Sequence, residues 1–225
     1  MTTDALTTFV SSRLEAVADT EKAAPMAAYM KTEMTFYGVK KAGRTPIVRD
    51  AVKRFPPSDR SSYEASVMAL WILPHREEKY VALGFARAFP KYIDARSLSL
   101  YRRLVVEGAW WDLVDEVAIK LIGGALRTDR VEGTPFVREL VEEDDLWLRR
   151  TAIICQVGHK ADTDTQLVED AVVPNMSETD FFIRKAIGWI LRDYAKTDPE
   201  WVRRFVDAHA DELSGLSRRE ALKNL

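Results

Sequence analysis

The chain has 225 residues, with 33 Lys and Arg against 35 Asp and Glu and a formal net charge of -2, so it is not a protein that coats nucleic acid by being basic throughout. Glycine (10) and proline (9) are scarce while 47% of residues are hydrophobic and 30% charged, which favours helix over sheet. A single cysteine, Cys155, excludes an intrachain disulfide, and three scattered histidines with no phosphate-cradling glycine motif leave no metal or other cofactor to expect.

In chain order, the opening MTTDALTTFVSSRLEAVAD lacks a basic leader followed by an apolar run. Nowhere do about 18 apolar residues stand uninterrupted. A cytoplasmic protein without a membrane partner is expected, folding as one unit over 1–225. From Lys40 to Arg60 there are seven basic residues against Asp50 and Asp59, whereas EEDD at 142–145 is acidic. Each run, taken alone, reads as a solvated face or a helix start. PPSDRS at 56–61 offers Ser58 or Asp59 as an N-cap, the glycine pair at 123–124 predicts a helix end, and KTDPEW at 196–201 supplies an Asp198 cap with Pro199 in the first turn. Ile183, Ile187, Ile190, Leu191 and Tyr194 form a one-sided helical stripe.

Trp71, Trp111 and Trp189 are separated by 40 and 78 residues, with LWLRR at 146–150 near the midpoint of the longer gap. A period close to 40 predicts stacked helix pairs of the HEAT or armadillo kind, an all-α helical-repeat solenoid with a concave face free for a ligand. A non-repeating helical bundle is the alternative.

The segment EGAWWDLVDEVA at 107–118 carries two indoles and two carboxylates. On one continuous helix, Trp110, Val114, Val117 and Leu121 share the buried face, while Trp111 and Asp115, four residues apart, meet on a second face. Asp112 falls in the first turn, where a carboxylate suits the positive helix end. Asp115 lies deeper, where its charge needs an arginine from a neighbouring helix or a polar ligand. Trp189 shares a face with Lys185 and Arg192, either as an aromatic and basic nucleic-acid surface or as an indole packed beneath the cations' stems.

YMKTEMTFYGVK at 29–40, AWWDLVDEVAIKLIG at 109–123, LWLRRTAIICQ at 146–156, RKAIGWILRDYAKTDPEWV at 184–202 and LSRREALK at 216–223 together resemble the DNA alkylation repair family of HEAT-like-repeat glycosylases, the AlkD type. The resemblance implies a single DNA glycosylase domain, acting as a monomer on double-stranded DNA that carries alkylated bases, with a concave DNA-binding face. It implies a monofunctional base-excision enzyme that hydrolyses the N-glycosidic bond of N3- or N7-alkylated purines. By the same resemblance Asp115 is catalytic, Trp111 and Trp189 are its paired indoles, and Arg150, rather than Arg149, meets the backbone near the lesion. Tyr29, Lys31, Lys40, Lys185 and Arg192 complete the expected DNA contacts. A non-catalytic binder of damaged or branched DNA, or a protein-interaction scaffold, would use the same surface.

The chemistry explains why one carboxylate can suffice. A purine alkylated at N3 or N7 is already cationic and leaves as a neutral base, so no second carboxyl group is needed to protonate the leaving group, unlike the usual glycosidase pair. The demand falls on the oxocarbenium-like sugar, which a carboxylate can stabilise while orienting water.

Overall fold

The computed structural model describes residues 3–225, and among them every regular element is helical. Backbone contacts divide the chain into two compact units, one ending at Tyr92 and one running from Ile93 to Leu225. Composition does not mark that boundary, because FPKYIDARS carries no glycine-rich or serine-rich linker.

The first unit contains α1 (Thr3–Glu15), α2 (Thr20–Met30), α3 (Lys41–Arg54), α4 (Arg60–Trp71) and α5 (Arg76–Arg87). Leu6, Val10 and Leu14, spaced by four, are the buried stripe of α1. Asp59 opens α4 through a reciprocal capping box with Ser62. The first turn of α5 departs from its polar sequence: Arg76, Glu77, Glu78 and Lys79 are all buried. The Glu77 carboxylate accepts the Tyr37 and Val39 N–H groups at 3.0 and 2.9 Å, and Glu78 accepts from the Ser11 and Tyr37 hydroxyls at 2.6 and 3.1 Å. Glu77 thus satisfies the backbone of an irregular segment that has no helix of its own to bond with, while Glu78 ties down two hydroxyls beside it. Desolvation, with the Glu78 charge beside it, pushes the Tyr37 phenol up to about 12.

The second unit contains α6 (Leu98–Gly108), α7 (Trp111–Glu116), a π-helical stretch (Val117–Ile122), α8 (Gly123–Thr128), α9 (Arg130–Val141), α10 (Leu146–Ile154), α11 (Thr165–Val172), α12 (Phe181–Tyr194), α13 (Pro199–Ala208) and α14 (Gly215–Ala221). Helices α9 to α13 each open on an aspartate, Asp129, Asp145, Asp164, Asp180 and Asp198, whose side chain accepts a first-turn N–H. The acidic run at 142–145 is thus in part a helix start. Helix α10 packs on α6, α7, α9, α11 and α12, which places it at the centre of this unit.

Two expectations about helix ends change. The segment 107–118 is not one helix: Ala109 takes a left-handed conformation (φ 32), Trp110 is extended, and α7 starts at Trp111. The glycine pair does not terminate a helix either, since the chain turns on helically through 123–124 to Thr128. Gly123 is needed for contact instead, because a Cβ there would lie 2.1 Å from the Cys155 carbonyl oxygen. Cys155 itself is wholly buried, and loss of solvent pushes its thiol up to about 12. Among the described residues no helix is long and apolar enough to cross a membrane.

The tryptophans spaced near 40 residues occupy different depths. Trp71 closes α4 and is 1% exposed, Trp111 and Trp147 are half-buried near the starts of α7 and α10, and Trp189 is half-buried within α12. All belong to helices of an all-α helical-repeat fold, but the spacing does not give them one common environment.

Candidate active site around Asp115

Asp115 stands on α7 just before the π-helical stretch, a local distortion that recurs at functional sites. Its partner is Arg150 on α10. The guanidinium Nε donates to Asp115 Oδ1 at 2.8 Å, Nη2 donates to Oδ2 at 2.9 Å, and Nη1 donates to the Phe182 carbonyl at 2.6 Å. Arg150 therefore ties α7 to the start of α12. Its residue is 3% exposed, whereas the Asp115 side chain keeps 16% of its surface open.

Burial holds the Asp115 carboxyl above the ordinary carboxylate range, with Arg150 pulling the other way and the Asp112 charge adding to the rise. The paired fork uses one acceptor direction on each oxygen. A carboxylate offers about four such directions in all, so two remain for water or a cation on the open side.

An aromatic layer lies beside this pair. Trp110, Trp147 and Phe182 form a triangle with centroid separations of 5.8, 5.5 and 5.0 Å, and the Arg150 guanidinium is 5.9 Å from the Phe182 ring centre. Phe181, 58% exposed, meets Phe182 edge-on at 5.5 Å. Trp110 reaches this layer because the break at Ala109 turns it out of the helix, and its buried Nε1 has no hydrogen-bond partner among the described residues. The sequence reading singled out neither Trp147 nor Phe182. The signal for Trp147 was its position three residues before Arg150, on the same helical face; Phe182 carried none beyond its place after the Asp180 cap.

The expected indoles stand apart from that layer. Trp111 shares a helix face with Asp115, and Trp189 lies seven residues beyond Phe182 on α12, but neither makes a ring contact with another aromatic among the described residues. Arg150, expected against phosphate, is instead turned inward, its guanidinium donating to Asp115 and to the Phe182 carbonyl. Arg149 is no freer: its Nη1 donates to the Glu143 and Asp144 carbonyls, both at 2.8 Å, and its Nη2 pairs with Glu178 at 3.0 Å. Lys185 and Arg192 both pair with Glu220 on α14, Lys185 at 2.9 Å, so one carboxylate holds the two cations on the Trp189 face.

Tyr29, Lys31 and Lys40 belong to the first unit. Tyr29 is 75% exposed, Lys31 ends α2 in a left-handed conformation, and Lys40 is the residue before α3. Of the basic residues from 40 to 60, Arg44, Arg54 and Arg60 lie over Tyr80, Phe9 and Tyr92, and Arg49 pairs with Asp50. Lys40, Lys41 and Lys53 make no ion pair among the described residues.

The model of a family described as "DNA alkylation repair enzyme" matches residues 10–225. A solved structure titled "Predicted DNA alkylation repair enzyme from Enterococcus faecalis" is similar at 30% identity and a TM-score of 0.84, over 92% of this chain and 96% of that one. No curated protein matches the chain. With the family model covering nearly the whole sequence and the fold agreeing, the chain belongs to the DNA alkylation repair enzyme family, whose role is in the repair of alkylated DNA.

Proposed function

We propose that this protein is a DNA glycosylase that hydrolyses the N-glycosidic bond of cationic N3- or N7-alkylated purines in duplex DNA, with Asp115 as its catalytic residue. The observation that carries this reading is a carboxylate fixed from behind by Arg150 and left partly open in front. A sugar cation about 4 Å from that carboxylate gains on the order of 4 kcal/mol at an effective dielectric near 20. Arg150 lies on the far side, roughly 8 Å from such a cation, and returns about 2 kcal/mol of repulsion at the same dielectric. The net of about 2 kcal/mol corresponds to roughly thirtyfold in rate, with about a thousandfold as the ceiling for an unpaired carboxylate. The two remaining acceptor directions orient the attacking water. Trp111, beside Asp115 on α7, and Trp189 are the indoles assigned to the sugar, their electron-rich faces favouring developing positive charge.

The test is release of free base from methylated duplex DNA, measured by chromatography. Wild type releases 3- or 7-methylpurine, and Asp115→Asn is slower by roughly thirtyfold to a thousandfold. Equal release by the two proteins would remove Asp115 from the mechanism. The buried bidentate pair also suits a protein that binds damaged DNA without cleaving it. That reading predicts duplex binding with no base release by wild type.

A further inference from the structure

The first unit holds a cavity of about 420 Å³ that the reading above does not use. Met26 and Met30, four apart on one face of α2, line it together with Phe36, Tyr80 and the exposed Tyr29 ring. Lys40 and Lys41, which make no ion pair among the described residues, stand at its lip against one carboxylate, Glu21, while Lys22 pairs with Asp19.

The wall is fixed in place, but the charge of the lip is not neutralised. Glu77 accepts the Tyr37 and Val39 N–H groups at 3.0 and 2.9 Å, holding the segment that carries Phe36 and Lys40. Arg44 is engaged in the wall itself: its Nη1 donates to the Val39 carbonyl at 2.6 Å and its guanidinium lies 4.2 Å from the Tyr80 ring centre. At the same edge α3 begins with no side-chain cap and no acid in its first turn, so its leading N–H groups add to the positive field of the two lysines.

Duplex DNA matches only the charge of this place. Its phosphates can meet lysines, but with its bases paired and stacked it turns sugar and phosphate outward and has no apolar group to fill a hollow. A large apolar side chain with anions on either side of it matches both features, and a peptide supplies that chemistry. Methionine walls accept such a side chain because the flexible thioether repacks around it, and an apolar anchor in a pocket with complementary charge at the rim is how protein segments are held. We propose that this cavity docks an acidic segment of a partner protein, one aromatic residue seated against Met26, Met30 and Tyr80 and its flanking carboxylates at Lys40, Lys41 and the start of α3. The inference does not rest on Asp115 or on base release.

The experiment measures binding of the full chain, by fluorescence anisotropy, to the fluorescein-labelled peptide Asp-Glu-Asp-Phe-Leu-Asp-Glu-Asp. Two control peptides carry Ala in place of Phe and Leu, or Asn and Gln in place of Asp and Glu. Wild type is expected to bind the first peptide saturably and each control at least about tenfold more weakly. Met26→Trp, which fills the cavity, and the double variant Lys40→Glu with Lys41→Glu, which reverses the lip, are each expected to lose about tenfold or more for the first peptide; melting followed by circular dichroism identifies folded variants. No binding of the first peptide overturns this inference and leaves the repair role standing. Equal affinity for the alanine control shows attraction by charge alone and overturns it too, as does undiminished binding by folded Met26→Trp. Loss of about tenfold in duplex affinity on Met26→Trp, with no peptide binding by wild type, assigns the hollow to DNA and overturns the peptide assignment.

Discussion

Arg150 serves stability and orientation through the same fork. Removing it leaves the Asp115 carboxylate buried beside a hydrogen-bonding void, so Arg150→Ala is expected to destabilise the fold by about 3–5 kcal/mol, read from urea denaturation. Arg150→Lys keeps a positive charge but not the two parallel bonds, and is expected to lose less stability than Arg150→Ala. A loss below about 1 kcal/mol for Arg150→Ala would mean that the pair contributes little to folding. Asp115 was legible because its four-residue spacing from Trp111 set it off the apolar stripe. The direction of Arg150 was not: adjacent arginines in WLRR point differently from a helix, and only the rotation of α10 against α7 and α12 decides between them. Trp110 misled for a related reason, since a helix break at Ala109 lay in a sequence without proline and directly after an ordinary glycine.

At the level of elements, α12 and α14 meet where Gly188 leaves room: a Cβ there would come within 2.4 Å of the Glu220 Cβ. That close approach lets Glu220 reach both Lys185 and Arg192. Glu220→Gln frees two cations at once. If they then meet phosphates, duplex affinity rises at low salt and the log–log salt slope steepens by roughly two, about 0.9 per phosphate. An unchanged slope would show that neither cation reaches the backbone. Helix periodicity gave α12 away in the sequence and the Asp198 cap gave α13, but the burial of REEK at the start of α5 was hidden, because a charged first turn ordinarily faces water. Its role depends on the distant Tyr37–Val39 backbone, which local pattern does not contain. The glycine pair at 123–124 was misread similarly, since glycine permits a tight approach as readily as it ends a helix.

For the molecule as a whole, the all-helical class followed from periodicity and scarce glycine and proline, while the division after Tyr92 depends on contacts that composition does not encode. Acid sensitivity is a property at this scale. Burial, with Arg130 and Arg127 nearby, moves the His159 imidazole from 6.5 down to about 4. As pH falls, the unfolded chain therefore takes up this proton before the folded one, and the His159 contribution to stability is lost progressively from about pH 6.5 to about pH 4. The full loss is up to ~3 kcal/mol. Urea midpoints taken across that window should fall with acidification, and His159→Gln should flatten the fall. The seclusion of Cys155 carries a different implication. Electrophiles that methylate purines also attack thiolates, and this chain keeps its one sulfhydryl away from solvent and protonated at neutral pH. Native protein treated with iodoacetamide should show no added mass at Cys155, whereas the urea-unfolded chain should be modified, so the very agents that create damaged bases would leave the thiol of this repair protein untouched.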